Sequence, residues 1–565
     1  MADRPARDPA VEDLHLVVDL ALRRGADLLT AGERLVVARI RGLRGPAASL
    51  YARLTARVPS VFVEDRLEAP GVEDPAAAVT ALIAAGLADR LVPWRHRIEV
   101  LTAAELRDLA RDRGLPTSGR KSALIERLVP HPAPLGRRFV RVRHRGLLRR
   151  LEQWAFLRRR PDRSALVVER LGHVRWPEYT PTGGRILHAR RADLRAWEAL
   201  WAGRDTLRPE ALLAALDARA TWPPGGLDLR RSLRRRILTT ARDLERAGDP
   251  AGARALYAGL VEGGHVAPAR VAVRVARTLE AEDRAEEAWR HLRAVLPVAS
   301  GRARLAILRS GRRLAARLRR GWAPDPPLRV PTERHLRLPA APSRGARPRY
   351  RGGARQGVVE EAVIGLLEAE GRRALHAEGP LWTTLFALLF ADAYFLPVPG
   401  MLPVRFLAGP LDAGTPSFAP RRPEAVAAVL DAVSAGEAPA RVARADARWR
   451  DTWLAGAAWS RAGSEDLVAV AEGMGPQGLR AVLEVLLRRG WRASRGLPDL
   501  VVLPGAPARL PGALPSRVGD GLLLAEIKGP TDTVRDEQAL WFDRLLRAGA
   551  PVELWHVTPT GEATR

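Results

Sequence analysis

The stretches PDLVVL at residues 498–503 and GLLLAEIK at residues 521–528 decide the fold of the C-terminal region. Each is a short apolar run of the kind that forms a buried β-strand. Alternate side chains of a strand share a face, so Glu526 and Lys528 point the same way while Ile527 points into the core. Asp499 stands at the start of the neighbouring strand, where its carboxylate can meet that of Glu526. The sequence therefore predicts two strands that carry two carboxylates and a lysine at one end.

These side chains suit metal-assisted chemistry on phosphate esters. Two facing carboxylates repel each other unless a cation lies between them, and hard oxygen ligands of this type favour Mg²⁺ or Mn²⁺. A lysine nearby can orient or deprotonate a water molecule, or stabilise charge on a phosphorane. Downstream, Thr531 to Thr533 predict the cap of a helix that runs to Ala548, and PVELWHV at 551–557 predicts a further strand. The order strand, strand, helix, strand is expected of a restriction-endonuclease-like core.

Lysine is rare in this chain, and both copies fall in motifs with a nucleic-acid interpretation. Of 92 basic residues, only Lys121 and Lys528 are lysine. An ammonium is a compact point donor, and the planar guanidinium fork of arginine replaces it poorly at a crowded site. We therefore expect each lysine to have a specific role.

The composition indicates a multidomain protein with a polyanionic partner. The chain has 565 residues and a formal net charge of +28, which favours roughly three or four domains and binding to a polyanion. It has no cysteine, which excludes disulfides, thiolate chemistry and cysteine-ligated zinc or iron–sulfur clusters. The most apolar stretch, residues 381–403, is interrupted after about 15 residues, too few to span a bilayer of about 30 Å. We expect a buried helix there, no membrane segment, and a cytoplasmic, nucleoid-associated protein.

Residues 101–128, LTAAELRDLARDRGLPTSGRKSALIERL, predict a compact helical hairpin. Thr102 can cap the first helix and Gly114 can end it, while Ser118 or Gly119 can open the second. The pattern closely resembles the SAP motif, a helix–extended–helix module that binds DNA.

The stretch after this hairpin is strongly basic. Residues 136–160 contain ten arginines and one glutamate, with Phe139, Trp154 and Phe156 between them. Basic residues with aromatics suit a track for phosphates; a solvated helix face with a few core aromatics explains the pattern equally well. The predicted contacts, to phosphates rather than bases, come from Arg120, Lys121, Arg137, Arg138, Arg141 and Arg143.

Two short motifs predict helical repeats between residues 231 and 320. AGDPA at 247–251 and AEDRA at 281–285 recur 34 residues apart, each at the start of an alanine-rich helix. This is the tetratricopeptide period, and such helices could bind a protein partner. Residues 322–355 are rich in proline, glycine and arginine without apolar periodicity, which predicts a linker that could touch DNA.

Four stretches of the C-terminal region together strongly resemble the virus-type replication-repair nuclease domain, VRR-NUC. They are GLPDLVV at 496–502, EIKGPTD at 526–532, DEQALW at 536–541 and VELWHV at 552–557. HAEG at 376–379, WTTLFALLFAD at 382–392, GPLD at 409–412 and Phe418 narrow the resemblance to the bacterial Fanconi-associated nucleases. The span of 27 residues from Asp499 to Glu526 is longer than we expect for that family, so residues 504–519 should loop out.

The resemblance implies a 5′-flap endonuclease and 5′-to-3′ exonuclease that acts on branched and duplex DNA in repair, including repair of interstrand crosslinks. It also implies that Glu378, from the HAEG stretch, is a metal ligand. The implied ligands of Mg²⁺ or Mn²⁺ are then Glu378, Asp499, Glu526 and the main-chain carbonyl of Ile527. The three carboxylates and Lys528 are the predicted catalytic residues, and Gln538 is a polar residue beside the site.

We therefore predict a multidomain, mainly α protein with a C-terminal α/β restriction-endonuclease-like core. The predicted regions are an N-terminal helical DNA-binding domain at 1–95, the SAP-like hairpin at 96–135, a basic helical region at 136–230, tetratricopeptide-like repeats at 231–320, a linker at 321–355 and a VRR-NUC nuclease domain at 356–565. A Holliday-junction-resolvase-like nuclease is one alternative, against which the upstream helical bulk argues. A non-catalytic DNA-binding scaffold is another, against which the complete set of carboxylates and lysine argues.

Overall fold

A mixed seven-stranded sheet forms the centre of the C-terminal half of the chain. The computed structural model describes residues 8–560, with gaps at 157–162, over most of 164–226, and at 325–326, 343–347, 507 and 511–515. Most of the predicted basic region beyond residue 156 therefore lies outside the described residues. The chain divides into two units: residues 1–174, 184–196 and 403–406 form the first, and residues 175–183, 197–402 and 407–565 form the second.

The first unit combines short helices with an antiparallel sheet. Its strands are β1 (Val61–Val63), β2 (Ala88–Asp89) and β3 (Phe139–Val142), in the order β1-β3-β2. Its helices are α1 (Pro9–Gly25), α2 (Ala31–Gly42), α3 (Gly45–Ala56), α4 (Pro75–Ala84), α5 (Trp94–Glu99), α6 (Ala103–Arg111), α7 (Lys121–Leu128) and α8 (Arg145–Phe156).

The predicted hairpin at 101–128 is present as α6 and α7. Thr102 caps α6 in a capping box with Glu105, and Gly114 takes the left-handed conformation just after it, with φ of 64°. The prediction for the start of α7 is wrong, since the helix begins at Lys121 rather than at Ser118 or Gly119. Gly119 has a φ of 109°, which lies outside the helical range, so the helix cannot include it.

The aromatic residues of the basic stretch belong to the core. Phe139, Trp154 and Phe156 are 4%, 1% and 2% exposed, and Phe139 lies in β3 rather than in a helix. These rings therefore cannot line a track for phosphates, and they agree with the alternative in which they are core aromatics. Burial of large aromatic side chains stabilises the fold.

Five consecutive helices occupy the predicted repeat region within the second unit. They are α9 (Leu227–Ala247), α10 (Pro250–Glu262), α11 (Pro268–Ala281), α12 (Ala285–Val295) and α13 (Gly301–Leu318), and neighbours in sequence pack on each other. The two recurring motifs lie at turns that open α10 and α12. Asp249 caps α10 by accepting a hydrogen bond from the Gly252 amide at 2.8 Å.

The sheet of the second unit has the strand order β6-β5-β4-β12-β11-β8-β7. β11 and β12 are parallel, β12 and β4 are parallel, and the remaining pairs are antiparallel. The strands are β4 (Thr332–Ala341), β5 (Arg349–Gly352), β6 (Arg355–Gly357), β7 (Ala374–His376), β8 (Leu500–Val502), β11 (Leu523–Lys528) and β12 (Val552–Thr560).

Two predictions about this sheet have different outcomes. The prediction of a linker at 321–355 is wrong, because β4 and β5 lie there and β4 pairs with β12 over eight positions. The insertion at 504–519 does leave the sheet, since β9 (Ala508–Leu510) and β10 (Ser516–Val518) form a separate two-stranded hairpin.

Helices cover both faces of the sheet. α14 (Val359–Ala369) packs with Ile527, Trp555 and Leu336 on one face. Leu524 and Val552 face the opposite way, into a larger core that includes the predicted buried helix. The helices after α14 are α15 (Pro380–Leu389), α16 (Ala391–Tyr394), α17 (Pro423–Ser434), α18 (Ala438–Trp449), α19 (Ser464–Arg489) and α20 (Asp536–Arg547). In the described residues no helix is both long and apolar enough to cross a membrane.

Candidate functional site

Asp499 and Glu526 meet where β8 and β11 run side by side. The strands are antiparallel, with Leu500 opposite Ala525, so Asp499 lies at the level of the Glu526–Ile527 peptide. Asp499 Oδ2 accepts a hydrogen bond from the Ile527 amide at 2.9 Å. The main chain therefore holds one carboxylate beside the strand that carries the other.

Lys528 and Gln538 surround the second carboxylate. Lys528 Nζ donates to Glu526 Oε1 at 2.6 Å and to Gln538 Oε1 at 3.2 Å, and Gln538 Nε2 also donates to Glu526 Oε1. All three side chains are buried. Gln538 is held in turn because its Oε1 accepts from the Arg535 amide at 2.9 Å, at the start of α20. The helix predicted to start near Thr531–Thr533 starts only at Asp536, which brings Gln538 into its first turn.

Ionisation of the Asp499 and Glu526 carboxylates is unfavourable in this environment. Burial, and then the charge of Asp499, raise the pKa of Glu526 to about 8. Burial raises the pKa of Asp499 to about 6, although the Ile527 amide and Lys528 partly offset it. No hydrogen-bond donor in the described part of the chain reaches Glu526 Oε2, a buried atom. A buried oxygen without a donor, next to a second carboxylate, fits a divalent cation.

Glu378 and Asp499 line the same pocket. The pocket has a volume of about 370 Å³, and its lining includes Asp499, Glu378, Glu360 and Arg461. The Ala377 amide donates to the Asp499 carbonyl at 2.8 Å, which keeps Glu378 next to the strand end. Among the described residues no three histidine, cysteine, aspartate or glutamate side chains already surround one metal position, so Glu378 shares the pocket without closing a ligand set.

Glu360 is a pocket residue that the sequence reasoning missed. It stands in the first turn of α14, and its charge contributes to the raised pKa of Asp499. An acidic first turn is common because it complements the helix dipole. A glutamate at the start of a helix therefore gives no specific indication of a functional site. The packing of α14 on the sheet is what brings Glu360 to the pocket.

The predicted DNA contacts lie in the first unit, and three of them are already in ion pairs. Arg137 pairs with Glu105, while Arg141 and Arg143 lie 3.0 and 3.8 Å from Asp89. Arg120 and Arg138 are exposed.

Lys121 lines a pocket of about 400 Å³ in the first unit, with Arg57 and Arg66 among the other lining residues. Glu99 also lines this pocket, so Lys121, the first residue of α7 in the SAP-like hairpin, borders a pocket of mixed charge.

Three domain families match parts of the chain. The family "FAN1, HTH domain" matches residues 11–89, the SAP domain matches residues 97–131, and the VRR-NUC domain matches residues 436–559. The VRR-NUC match contains Asp499, Glu526, Lys528 and Gln538, whereas Glu378 lies before it.

The chain resembles Fanconi-associated nucleases from several organisms. The Fanconi-associated nuclease 1 homolog of Pseudomonas aeruginosa is 28% identical over 94% of this chain and 93% of its own length. The homolog of Oryza sativa subsp. japonica is 31% identical, but the match covers 34% of this chain and 19% of that protein. Fanconi-associated nuclease 1 of Homo sapiens is 30% identical over 36% of this chain and 19% of its own length. The match thus spans about a fifth of the length of the rice and human proteins.

A solved structure shares the fold over almost the full chain. The crystal structure of paFAN1 bound to a 2-nt 5′ flap DNA with a gap has a TM-score of 0.79, 25% sequence identity, and covers 99% of this chain and 100% of that one. The chain is therefore a Fanconi-associated-nuclease-like protein of the bacterial type, with FAN1 HTH, SAP and VRR-NUC domains.

Proposed function

We propose that this protein is a structure-specific DNA nuclease that hydrolyses phosphodiester bonds with a divalent metal. One observation carries the proposal: the half-buried Asp499 lies beside the buried Glu526, Lys528 and Gln538, and Glu526 Oε2 has no donor within the described residues. The match to the VRR-NUC domain supports it independently.

Asp499 and Glu526 would hold Mg²⁺ or Mn²⁺, with the Ile527 carbonyl and Glu378 as further ligands. A bound divalent cation supplies positive charge to a phosphoryl oxygen and lowers the pKa of a water molecule. The raised pKa values of both carboxylates support this assignment because a cation would replace the proton that burial favours.

Lys528 has two roles in the proposed reaction. It fixes Glu526 by donating to Oε1, and it places a positive charge beside the reacting phosphate, where charge develops in the transition state. Gln538 keeps both partners in position because it bonds to each of them and to the main chain of α20. Its role is positioning rather than proton transfer.

The substrate we propose is branched DNA with a 5′ flap, cut by endonuclease and 5′-to-3′ exonuclease action in repair, including repair of interstrand crosslinks. The likeness to paFAN1, whose structure contains 5′ flap DNA, supports the flap. The SAP and FAN1 HTH domains and the net charge of +28 support a large duplex-binding surface.

The test uses the full chain and end-labelled single strand, duplex, 5′ flap, 3′ flap and four-way junction, with Mg²⁺, Mn²⁺ or EDTA. We expect metal-dependent cutting, with the 5′ flap preferred over the 3′ flap. Asp499→Ala should abolish cutting and keep DNA binding. Asp431→Ala is the matched control, because Asp431 lies on α17 with a side chain that is 78% exposed. Cutting in EDTA, or full activity of Asp499→Ala, would refute the metal assignment.

The same assay separates the alternatives. Symmetric cutting of the four-way junction would favour a resolvase, and DNA binding without any cutting would favour a scaffold.

A further inference from the structure

The row of side chains that includes Lys528 continues across the sheet. Lys528 on β11 stands opposite His556 on β12, and His556 stands opposite His335 on β4. Residues opposite each other in a sheet share a face, so both histidines lie on the Lys528 face. Their rings stack, with centroids 5.0 Å apart and planes 16° from parallel. With a strand spacing of about 4.8 Å, His335 lies about 10 Å across the sheet from Lys528.

β12 and β4 run beyond the end of β11 and expose the same face. Thr558 stands opposite Arg337, and Thr560 opposite Pro339. Arg337 is exposed, while its neighbours Leu336 and Leu338 are 0% and 1% exposed. The period of two therefore separates a buried face from an exposed one. Thr558 and Thr560 are exposed as well, so this part of the face is open to solvent among the described residues.

The next strand extends the exposed face with more arginines. Arg349 on β5 stands opposite Ala341, and Arg351, two residues later, lies on the same face; both are exposed. The "basic strip" is the face formed by the exposed residues Thr558, His335, Arg337, Arg349 and Arg351, together with the half-buried His556, whose Nε2 atom is buried.

The charge of the basic strip is poorly balanced. Within the described residues no carboxylate pairs with Arg337, Arg349 or Arg351, and Arg349 donates only to the Gln356 carbonyl at 3.3 Å. By contrast, Arg334 on the opposite face pairs with Glu553 at 2.8 Å. The one acid at the strip, Glu333, lies at its edge, 3.5 Å from His556 Nε2. Uncompensated like charges on a rigid surface repel each other, and a polyanion relieves this repulsion.

We propose that the basic strip binds the phosphates of the DNA strand that continues from the scissile phosphate. The proposal rests on the nuclease function proposed above. Arg337 lies two strands across and two residues beyond Lys528, about 12 Å away, and Arg351 lies about 20 Å away. A strand of B-form DNA rises about 3.4 Å per nucleotide, so these arginines reach phosphates roughly three to six nucleotides from the cut.

DNA fits the strip better than an acidic protein does. The strip starts one strand away from Lys528 and extends in one direction from the site, which a continuous polymer bound in that site would follow. Arginine, histidine and threonine all donate hydrogen bonds to phosphate oxygens without reading base sequence. The strip should therefore add affinity for any DNA sequence.

The first test measures DNA affinity of the full chain in EDTA as a function of salt. Each lost phosphate contact lowers the logarithmic salt slope by about 0.9. For the double variant Arg337→Gln/Arg351→Gln, we expect the fall in affinity between 50 and 200 mM salt to become about tenfold smaller. The control is Arg441→Gln/Arg448→Gln on α18, whose arginines pair with Glu437 and Asp392; its slope should not change.

The second test locates the strand without any variant. Wild-type protein is crosslinked in EDTA to flap DNA that carries one photoreactive thymidine, placed in turn two to six nucleotides on either side of the cut. We expect crosslinks to the peptide 331–352 from one side only. Crosslinks that never reach this peptide, or a double variant with an unchanged salt slope, would overturn the proposal. Cutting by the same wild-type protein in Mn²⁺ is scored separately, so failure of the strip and failure of the nuclease function remain distinguishable.

Discussion

Metal binding to the Asp499–Glu526 pair should release about one proton at pH 7. The perturbation is the addition of Mg²⁺ to metal-free protein. Burial raises the pKa of Glu526 to about 8 and that of Asp499 to about 6. At pH 7 the first carboxylate then holds about 0.9 of a proton and the second about 0.1. A cation that binds only when both carboxylates are ionised therefore releases the sum of these two fractions, about one proton.

The sign of the pH dependence follows from these raised values. Because protons compete with the cation, metal affinity should rise as the pH rises through 6 and then 8, the two pKa values. At pH 9 Glu526 holds only about 0.1 of a proton, so proton release should nearly vanish. Carboxylates on the surface are already ionised at pH 7, and weak binding of Mg²⁺ to them releases no protons.

The assay is titration calorimetry of the full chain in two buffers with different ionisation enthalpies, at pH 7 and pH 9. The buffer dependence of the heat gives the number of protons released. Glu526→Gln is the control, because its amide cannot ionise and its release at pH 7 should fall close to zero. Equal proton release at pH 7 and pH 9, or equal release by wild type and Glu526→Gln, would refute the reasoning.

Three further predictions concern single side chains. Lys528→Arg should slow single-turnover cutting about a hundredfold, because the larger fork cannot keep the 2.6 Å contact with Glu526 without displacing Gln538; near-wild-type turnover would mean that charge alone suffices. Gln538→Ala should slow cutting about 10- to 100-fold and leave DNA affinity unchanged; a loss of affinity with an unchanged rate would assign it to DNA binding. Lys121→Gln should weaken DNA binding evenly across sequences and lower the salt slope by about one; a sequence-dependent loss would indicate base readout instead.

The centre of the candidate site was predictable from the sequence because its parts are local. Glu526 and Lys528 are two residues apart on one strand, so the period of two puts them on one face whatever surrounds them. Gln538 follows Lys528 by ten residues. The matched families confirm the general interpretation as a Fanconi-associated-nuclease-like chain.

Contacts between distant residues escaped the sequence reasoning. β4 was interpreted as linker because its charged and proline residues hide an alternation in which only Leu336 and Leu338 are fully buried. Its partner β12 lies more than 200 residues away. Parallel strands are not joined by a short hairpin turn, so no turn motif in the sequence indicates that the two strands pair. The ion pair of Arg141 with Asp89, across 52 residues, was equally hidden within a run of arginines.

The sequence by itself placed Glu526 and Lys528 on one strand face, because strand periodicity acts over a few residues, whereas Asp499 and Glu378 were predicted from the motif and the family resemblance. Only the tertiary structure decided which charges are already paired, which aromatic residues are core, and that Glu360 enters the pocket. It also decided that the Lys528 row continues onto a basic sheet face. These outcomes depend on packing between strands and helices that are hundreds of residues apart in sequence. Composition and periodicity describe only local stretches, so they do not indicate which distant elements pack together.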